Sequence, residues 1–109
     1  MSITRVVITG LGVVSPLGVG VPLNWKRLLE NSSGISSLEE NEYDGIPSRV
    51  AARVPMTNDE GALGFSKYFT RMSELKSMSL ASAFAIVAAQ EAIEQSQVRI
   101  FRFLSLVFI

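Results

Sequence analysis

The sequence predicts an α/β fold in which helices cover a buried sheet, and it predicts only part of one. Three observations point there. A contiguous β-branched run, Val6, Val7 and Ile8, is followed by Val13 and Val14, and an unbroken apolar run suits a strand covered on both faces. An amphipathic segment carrying the single tryptophan follows over residues 22–30. A long alanine-rich segment, residues 79–97, is apolar nearly all round its first half, the pattern of a helix enclosed by a larger body. With 109 residues the chain makes one small domain or part of a larger one. A domain of this size buries a smaller share of its surface than a large one and is marginal when cut down.

Each element has a local reason. Gly10 and Gly12 weaken a regular strand, so they mark a bend or a place where another backbone comes close. Ser15-Pro16-Leu17-Gly18 reads as a turn. Pro22 suits a first helical turn, and Trp25, Leu28 and Leu29 recur at helical spacing on one stripe. Asn31-Ser32-Ser33-Gly34 is a stop signal in which Gly34 is free to take positive φ. Residues 36–70 are polar and punctuated by Gly45, Pro47, Pro55, Gly61 and Gly64; within them, residues 48–54 fit a short strand. Ser37 to Glu40 and Thr57 to Glu60 match a capping box by letter, but Gly and Pro crowd the helices that would follow. Ser79 is the expected N-cap of the long helix. Residues 98–109, VRIFRFLSLVFI, are almost wholly apolar with charges only at Arg99 and Arg102. They are too short to span a bilayer and prone to aggregate if exposed.

Composition excludes several functions. The apolar share of 48% is enough for a core. Ten basic residues balance ten acidic ones, so the basic footprint of a nucleic-acid binder is absent and self-association is favoured. There is no cysteine and no histidine. That removes a disulfide framework, a thiolate metal site and a cysteine nucleophile, and also the commonest general base. The opening MSITRVVITG is cut by Thr9 and Gly10 and does not read as a secretory signal. No segment reaches the roughly 18 to 20 apolar residues of a spanning helix. The expectation is an intracellular protein without a membrane span.

The motifs are weak taken singly. Gly10-x-Gly12 after a strand invites a dinucleotide-binding reading, but the third Gly or Ala it needs is replaced by Ser15 and no helix opens at the glycines. Strand bending and close packing account for them better. Asn31-Ser32-Ser33 matches a glycosylation acceptor only by letter. Glu39, Glu40, Glu42 and Asp44 lack metal-ligand spacing and read as a solvated loop. Lys67, Arg71 and Lys76 around Tyr68 and Phe69 are too few for nucleic acid. No Gly-x-Ser-x-Gly elbow occurs.

Taken together, RVVITGLGVVSPLG (residues 5–18), Asn24-Trp25-Lys26-Arg27-Leu28-Leu29, Ser33-Gly34-Ile35 and the alanine-rich stretch over residues 78–93 resemble the β-ketoacyl-acyl carrier protein synthases. Residues 43–54 and 75–79 look most like the mitochondrial branch. The resemblance covers roughly residues 3–97. It implies an α/β fold, the incomplete N-terminal part of a thiolase-like layered αβαβα arrangement. It divides the chain into a synthase segment, 1–97, and an apolar tail, 98–109, that does not match.

The family's chemistry is decarboxylative Claisen condensation in fatty acid biosynthesis. A cysteine takes the acyl chain as a thioester, and two histidines assist decarboxylation of the malonyl carrier and stabilise the oxyanion. None of those residues falls on this sequence. No catalytic, cofactor-binding or metal-ligating residue is therefore assigned, no cofactor is implied, and the chain alone is expected to be inactive. Acyl carrier protein and a homodimer partner are the partners the resemblance implies; nucleic acid is not one. Mitochondrial and cytoplasmic locations both remain open, with no clear targeting segment. The rival readings are an interaction module that pairs with full-length synthase and a small nucleotide-binding domain.

Overall fold

A computed structural model of the chain describes residues 2–98. The apolar tail therefore lies almost entirely outside the described residues. Two very short antiparallel pairs and four helices follow one another. Strands β1 (Val14–Ser15) and β2 (Gly18–Val19) form a hairpin with Val14 opposite Val19. Helix α1 spans Val21–Leu29. Strands β3 (Ile35–Ser37) and β4 (Val50–Ala52) pair with Ile35 opposite Ala52. Short helices α2 (Phe65–Tyr68) and α3 (Met72–Lys76) lead into the long α4 (Leu80–Ser96).

The anticipated turn at Ser15–Gly18 is present, and so is the long helix. Ser79 caps α4 by accepting the Ser82 N–H at 3.2 Å, which satisfies one of the donors a helix leaves open at its start. Gln97, at φ 53°, closes it in the left-handed region. The strand expected within residues 48–54 appears as β4. The positive-φ residue that ends α1 is Asn31, at φ 54°, and not Gly34. Asparagine tolerates that region through local hydrogen bonding, and Gly34 is instead pressed against Pro16.

The largest departure concerns the first strand. Residues 2–13 run without turn or bend and join no ladder. Val6 and Ile8, expected to be buried on both faces, are 90% and 81% exposed. The cause is the lack of any neighbouring strand beside them among the described residues. The apolar stripe of α1 behaves likewise: Trp25, Leu28 and Leu29 face outward, while Leu23, Asn24 and Arg27 turn toward the hairpin. Of α4, only Ala83 and Val87 are buried.

The core is small. Leu63, Phe69, Ala83 and Val87 form its centre, with Val14, Val19, Val54, Phe65 and Phe84 packed round them. Phe65 stacks on Phe84 at 6.4 Å and meets Phe69 edge-on at 5.9 Å. The loop before α2 is tied in by backbone: Leu63 N–H donates to the Pro55 carbonyl and Val19 N–H to that of Gly61. Four-residue α2 was not legible beforehand, since its hold comes from this aromatic packing. No helix among the described residues is long and apolar enough to cross a membrane.

Candidate functional site

The described residues converge at one polar junction, where the N-terminal segment, the β1–β2 hairpin and the start of α1 meet the second half of α4. Its foundation is steric. Gly10 lies against Ala92 and Ser96, and Gly12 against Ala88 and Ala92. Two residues of the segment thus match about one helical turn, the rise of extended chain. A Cβ at Gly10 would collide with the Ala92 carbonyl oxygen, and one at Gly12 with that of Ala88. The glycines permit a strand-like backbone to lie directly on the helix. Alanines at the facing positions keep the helix surface low.

Side chains of α4 then satisfy the backbone that this approach strands. Glu91 accepts two N–H groups, one on each carboxylate oxygen: Val13 at 2.9 Å and Val21 at 2.7 Å. Val21 is the first residue of α1, so the carboxylate sits at the positive end of that helix. Gln95, one turn further along, accepts the Leu11 N–H. On the other side, the Asn24 amide donates to the carbonyls of Gly18 (3.0 Å) and Gly20 (2.8 Å). The Ser15 hydroxyl donates to the Asn24 side-chain oxygen and accepts the Leu17 N–H. Arg27 reaches the Leu17 carbonyl.

Within the polar second half of α4, Glu91 and Gln95 turn to the N-terminal segment, while Gln90 and Glu94 bond to each other on the exposed side. The signal was the four-residue spacing of Glu91 and Gln95, which puts both on one face of the helix. The dinucleotide reading is removed directly. The glycines face carbonyl oxygens, and the helix start that a pyrophosphate would need already holds the protein's own carboxylate.

Next to the junction lies an open cleft of about 530 Å³ lined by Val19, Gly20, Pro22, Leu23, Lys26, Arg27, Glu60 and Gly61. It offers charge but no nucleophile with a base beside it. The acidic loop is held together by arginine. Arg49 donates to the Glu39 and Glu42 carbonyls, and Arg53 pairs with Glu42 at 2.8 Å. The Arg53 hydrogen bond, then that from the Glu39 N–H, holds the Glu42 carboxyl below its usual range. The Arg53 guanidinium is shifted upward by the same bond. Lys67 and Tyr68 sit on α2, Arg71 just before α3 and Lys76 at its end. Phe69 is spent in the core, so these residues do not form one basic aromatic face.

Among the described residues, no three His, Cys, Asp or Glu side chains gather to hold a metal. The arrangement positions backbone. A family model described as "Beta-ketoacyl synthase, N-terminal domain" matches residues 4–101. The chain is 38% identical over 94 residues to a protein assigned as a mitochondrial 3-oxoacyl-[acyl-carrier-protein] synthase in Schizosaccharomyces pombe, covering 85% of this chain and 22% of that protein. It is 35% identical over 109 residues to the mitochondrial 3-oxoacyl-[acyl-carrier-protein] synthase of Arabidopsis thaliana, with 85% and 22% covered. A 3-oxoacyl-[acyl-carrier-protein] synthase 2 of Rhizobium meliloti is 32% identical over 89 residues, with 82% and 21% covered. The chain thus spans about a fifth of the length of these curated relatives.

Proposed function

Because this chain belongs to the β-ketoacyl synthase family, we propose that it is a scaffold portion of a condensing enzyme of fatty acid biosynthesis and is inactive by itself. The synthase reaction condenses an acyl thioester with a malonyl thioester held on acyl carrier protein. It needs a thiolate to carry the acyl group and a charged or donor-rich pocket for the oxyanion. A family match over residues 4–101 in a chain with no cysteine and no histidine is the observation that carries this reading. The serines do not substitute: the Ser15 hydroxyl is engaged with Asn24 and the Leu17 N–H, with no base to activate it.

In this reading, residues 1–97 are the synthase portion of a thiolase-like layered fold, and residues 98–109 are an apolar tail foreign to it. Acyl carrier protein and a homodimer partner belong to the whole enzyme. The test is acyl transfer to, and condensation by, the purified 109-residue chain supplied with acyl- and malonyl-carrier protein. No product above the protein-free control is expected. Turnover in a preparation free of longer synthase overturns the proposal.

One observation favours a second reading, an interaction module that pairs with full-length synthase or with itself. Trp25, Leu28 and Leu29 present an uncovered apolar face on α1. Co-purification of the tagged chain with a full-length synthase of its own branch is the expected result. No association at micromolar concentration removes it.

A further inference from the structure

We propose that residues 100–106 of the apolar tail lie as an antiparallel strand along residues 3–9, so that the chain covers its own N-terminal segment. Ile3, Val6, Val7 and Ile8 are between 73% and 90% exposed, and no residue from 3 to 9 joins a ladder. An apolar, proline-free edge with unpaired N–H and C=O groups is a template for strand addition. The described chain ends where such a strand has to begin.

Gly12 lies against Ala88, and Gly10 against Ala92 and Ser96, so the segment runs antiparallel to α4. The bond from the Leu11 N–H to Gln95 fixes the same direction. Residues 9 to 3 therefore run on past the C-terminal end of the helix, which falls at Ser96. A Cβ placed on Gly10 would lie 3.0 Å from the Ser96 Cβ, and the Val98 N–H donates to the Ser96 hydroxyl at 3.3 Å. Val98, the last described residue, thus leaves the helix at the base of the exposed segment. From there residues 99–109 reach about 36 Å as a strand, against about 23 Å for residues 3–9. The tail is long enough for the whole segment, and continuing outward from α4 makes the pair antiparallel.

The two sequences fit in one register. Thr9 opposite Ile100 sets Ile8 against Phe101, Val6 against Phe103 and Thr4 against Ser105 on one face. Aromatic–β-branched and Thr–Ser pairs are among the stabilising cross-strand combinations. The other face joins Ile3 with Leu106, Arg5 with Leu104 and Val7 with Arg102. Sliding the tail two residues one way opposes Arg5 with Arg102, which is unfavourable; sliding it the other way sets Ser105 against Val6. A shift of one residue turns every side chain to the other face. The same register brings Arg99 opposite Gly10, beside the negative end of α4, whose last turn holds no basic residue. Pairing covers two aggregation-prone segments at once.

The absence of cysteine allows a single cross-link to be placed. Directly opposed residues hold their Cβ atoms about 4.5–5.5 Å apart, close enough for a disulfide once the backbone adjusts. In the full 109-residue chain at low micromolar concentration, V6C plus F103C is expected to form a disulfide within one chain under mild oxidation. Its yield should not change on dilution. W25C plus F103C is expected to stay reduced. As a second measurement, the amides of residues 3–9 in the unmodified chain should exchange about tenfold more slowly than in F103P, where proline interrupts the ladder. The Val13 and Val21 amides should exchange alike in both, since their bonds to Glu91 lie in the junction.

Exchange at residues 3–9 that F103P leaves unchanged overturns the pairing, as does equal oxidation of W25C plus F103C. A reduced V6C plus F103C pair overturns this register. A disulfide found only between chains, rising with concentration, overturns the proposal in favour of a second copy. These outcomes are separate from the condensation assay: the contact stands or falls whether or not the chain turns over.

Discussion

Gly12 is the residue on which the junction turns. Its missing Cβ leaves room for the Ala88 carbonyl oxygen, a backbone atom that cannot rotate aside. Gly12→Ala is expected to cost about 1–3 kcal/mol, the usual toll of overpacking, and to lower the midpoint of denaturant unfolding. Adding Ala88→Gly should restore nothing, because the obstruction is the carbonyl and not the Ala88 methyl. A full rescue would show that the segment does not lie against the helix backbone. Glu91 is the second such residue. Its two oxygens answer two N–H groups from different parts of the chain. Glu91→Gln keeps one acceptor and places an amide NH₂ against the other donor. A loss of about 1 kcal/mol is expected for the orphaned, part-buried donor. In hydrogen exchange, the amides of Val13 and Val21 should lose protection before those in the middle of α4.

Among the elements, the β3–β4 hairpin holds in its loop a carboxyl, Glu42, whose pKa is lowered. Glu42 is held below its ordinary range by Arg53 and the Glu39 N–H. Its folded value is thus lower than its unfolded one, so the contribution is fully present above the unfolded value. It is lost as pH falls through the folded value. Carbon-detected NMR titration should place the Glu42 carboxyl below the usual glutamate range, and Arg53→Ala should move it back up. An unmoved midpoint in that variant would assign the shift to the backbone bond alone.

The elements differ in how far the sequence discloses them, and the differences are physical. Helix α4 is legible because Ser79 caps it and its alanine-rich run contains neither glycine nor proline. The β1–β2 hairpin is legible because Ser15, Pro16 and Gly18 are turn residues. The role of the glycine pair was legible as close approach, though its partner was not, since Ala88 and Ala92 lie more than seventy residues away. Residues 6–8 carry strand composition, yet composition does not supply a neighbouring strand. The role of Glu91 is not legible in the sequence, because its partners are backbone groups, which leave no mark in a sequence pattern.

For the whole molecule, stability is concentrated in a small centre. Leu63 is fully buried, and Val87 is 1% exposed, while the α1 stripe and the N-terminal segment contribute little burial. Leu63→Ala is expected to cost about 2–5 kcal/mol, comparable to the lower part of the range for an entire small domain. It should abolish cooperative thermal unfolding by circular dichroism. A variant that still melts cooperatively near the wild-type temperature would show that the core extends beyond Leu63, Phe69, Ala83 and Val87. The described residues matched by the family model form a helix, a hairpin and an extended segment laid on α4.

The long reach of the Glu91 bonds also sets a clock. Val13 meets its acceptor 78 residues later, and a ribosome adding 5–20 residues per second needs roughly 4–16 s to supply it. For that interval the Val13 N–H has no native acceptor and Gly10 and Gly12 have no helix to lie on, which makes this segment a natural client for a chaperone acting during translation.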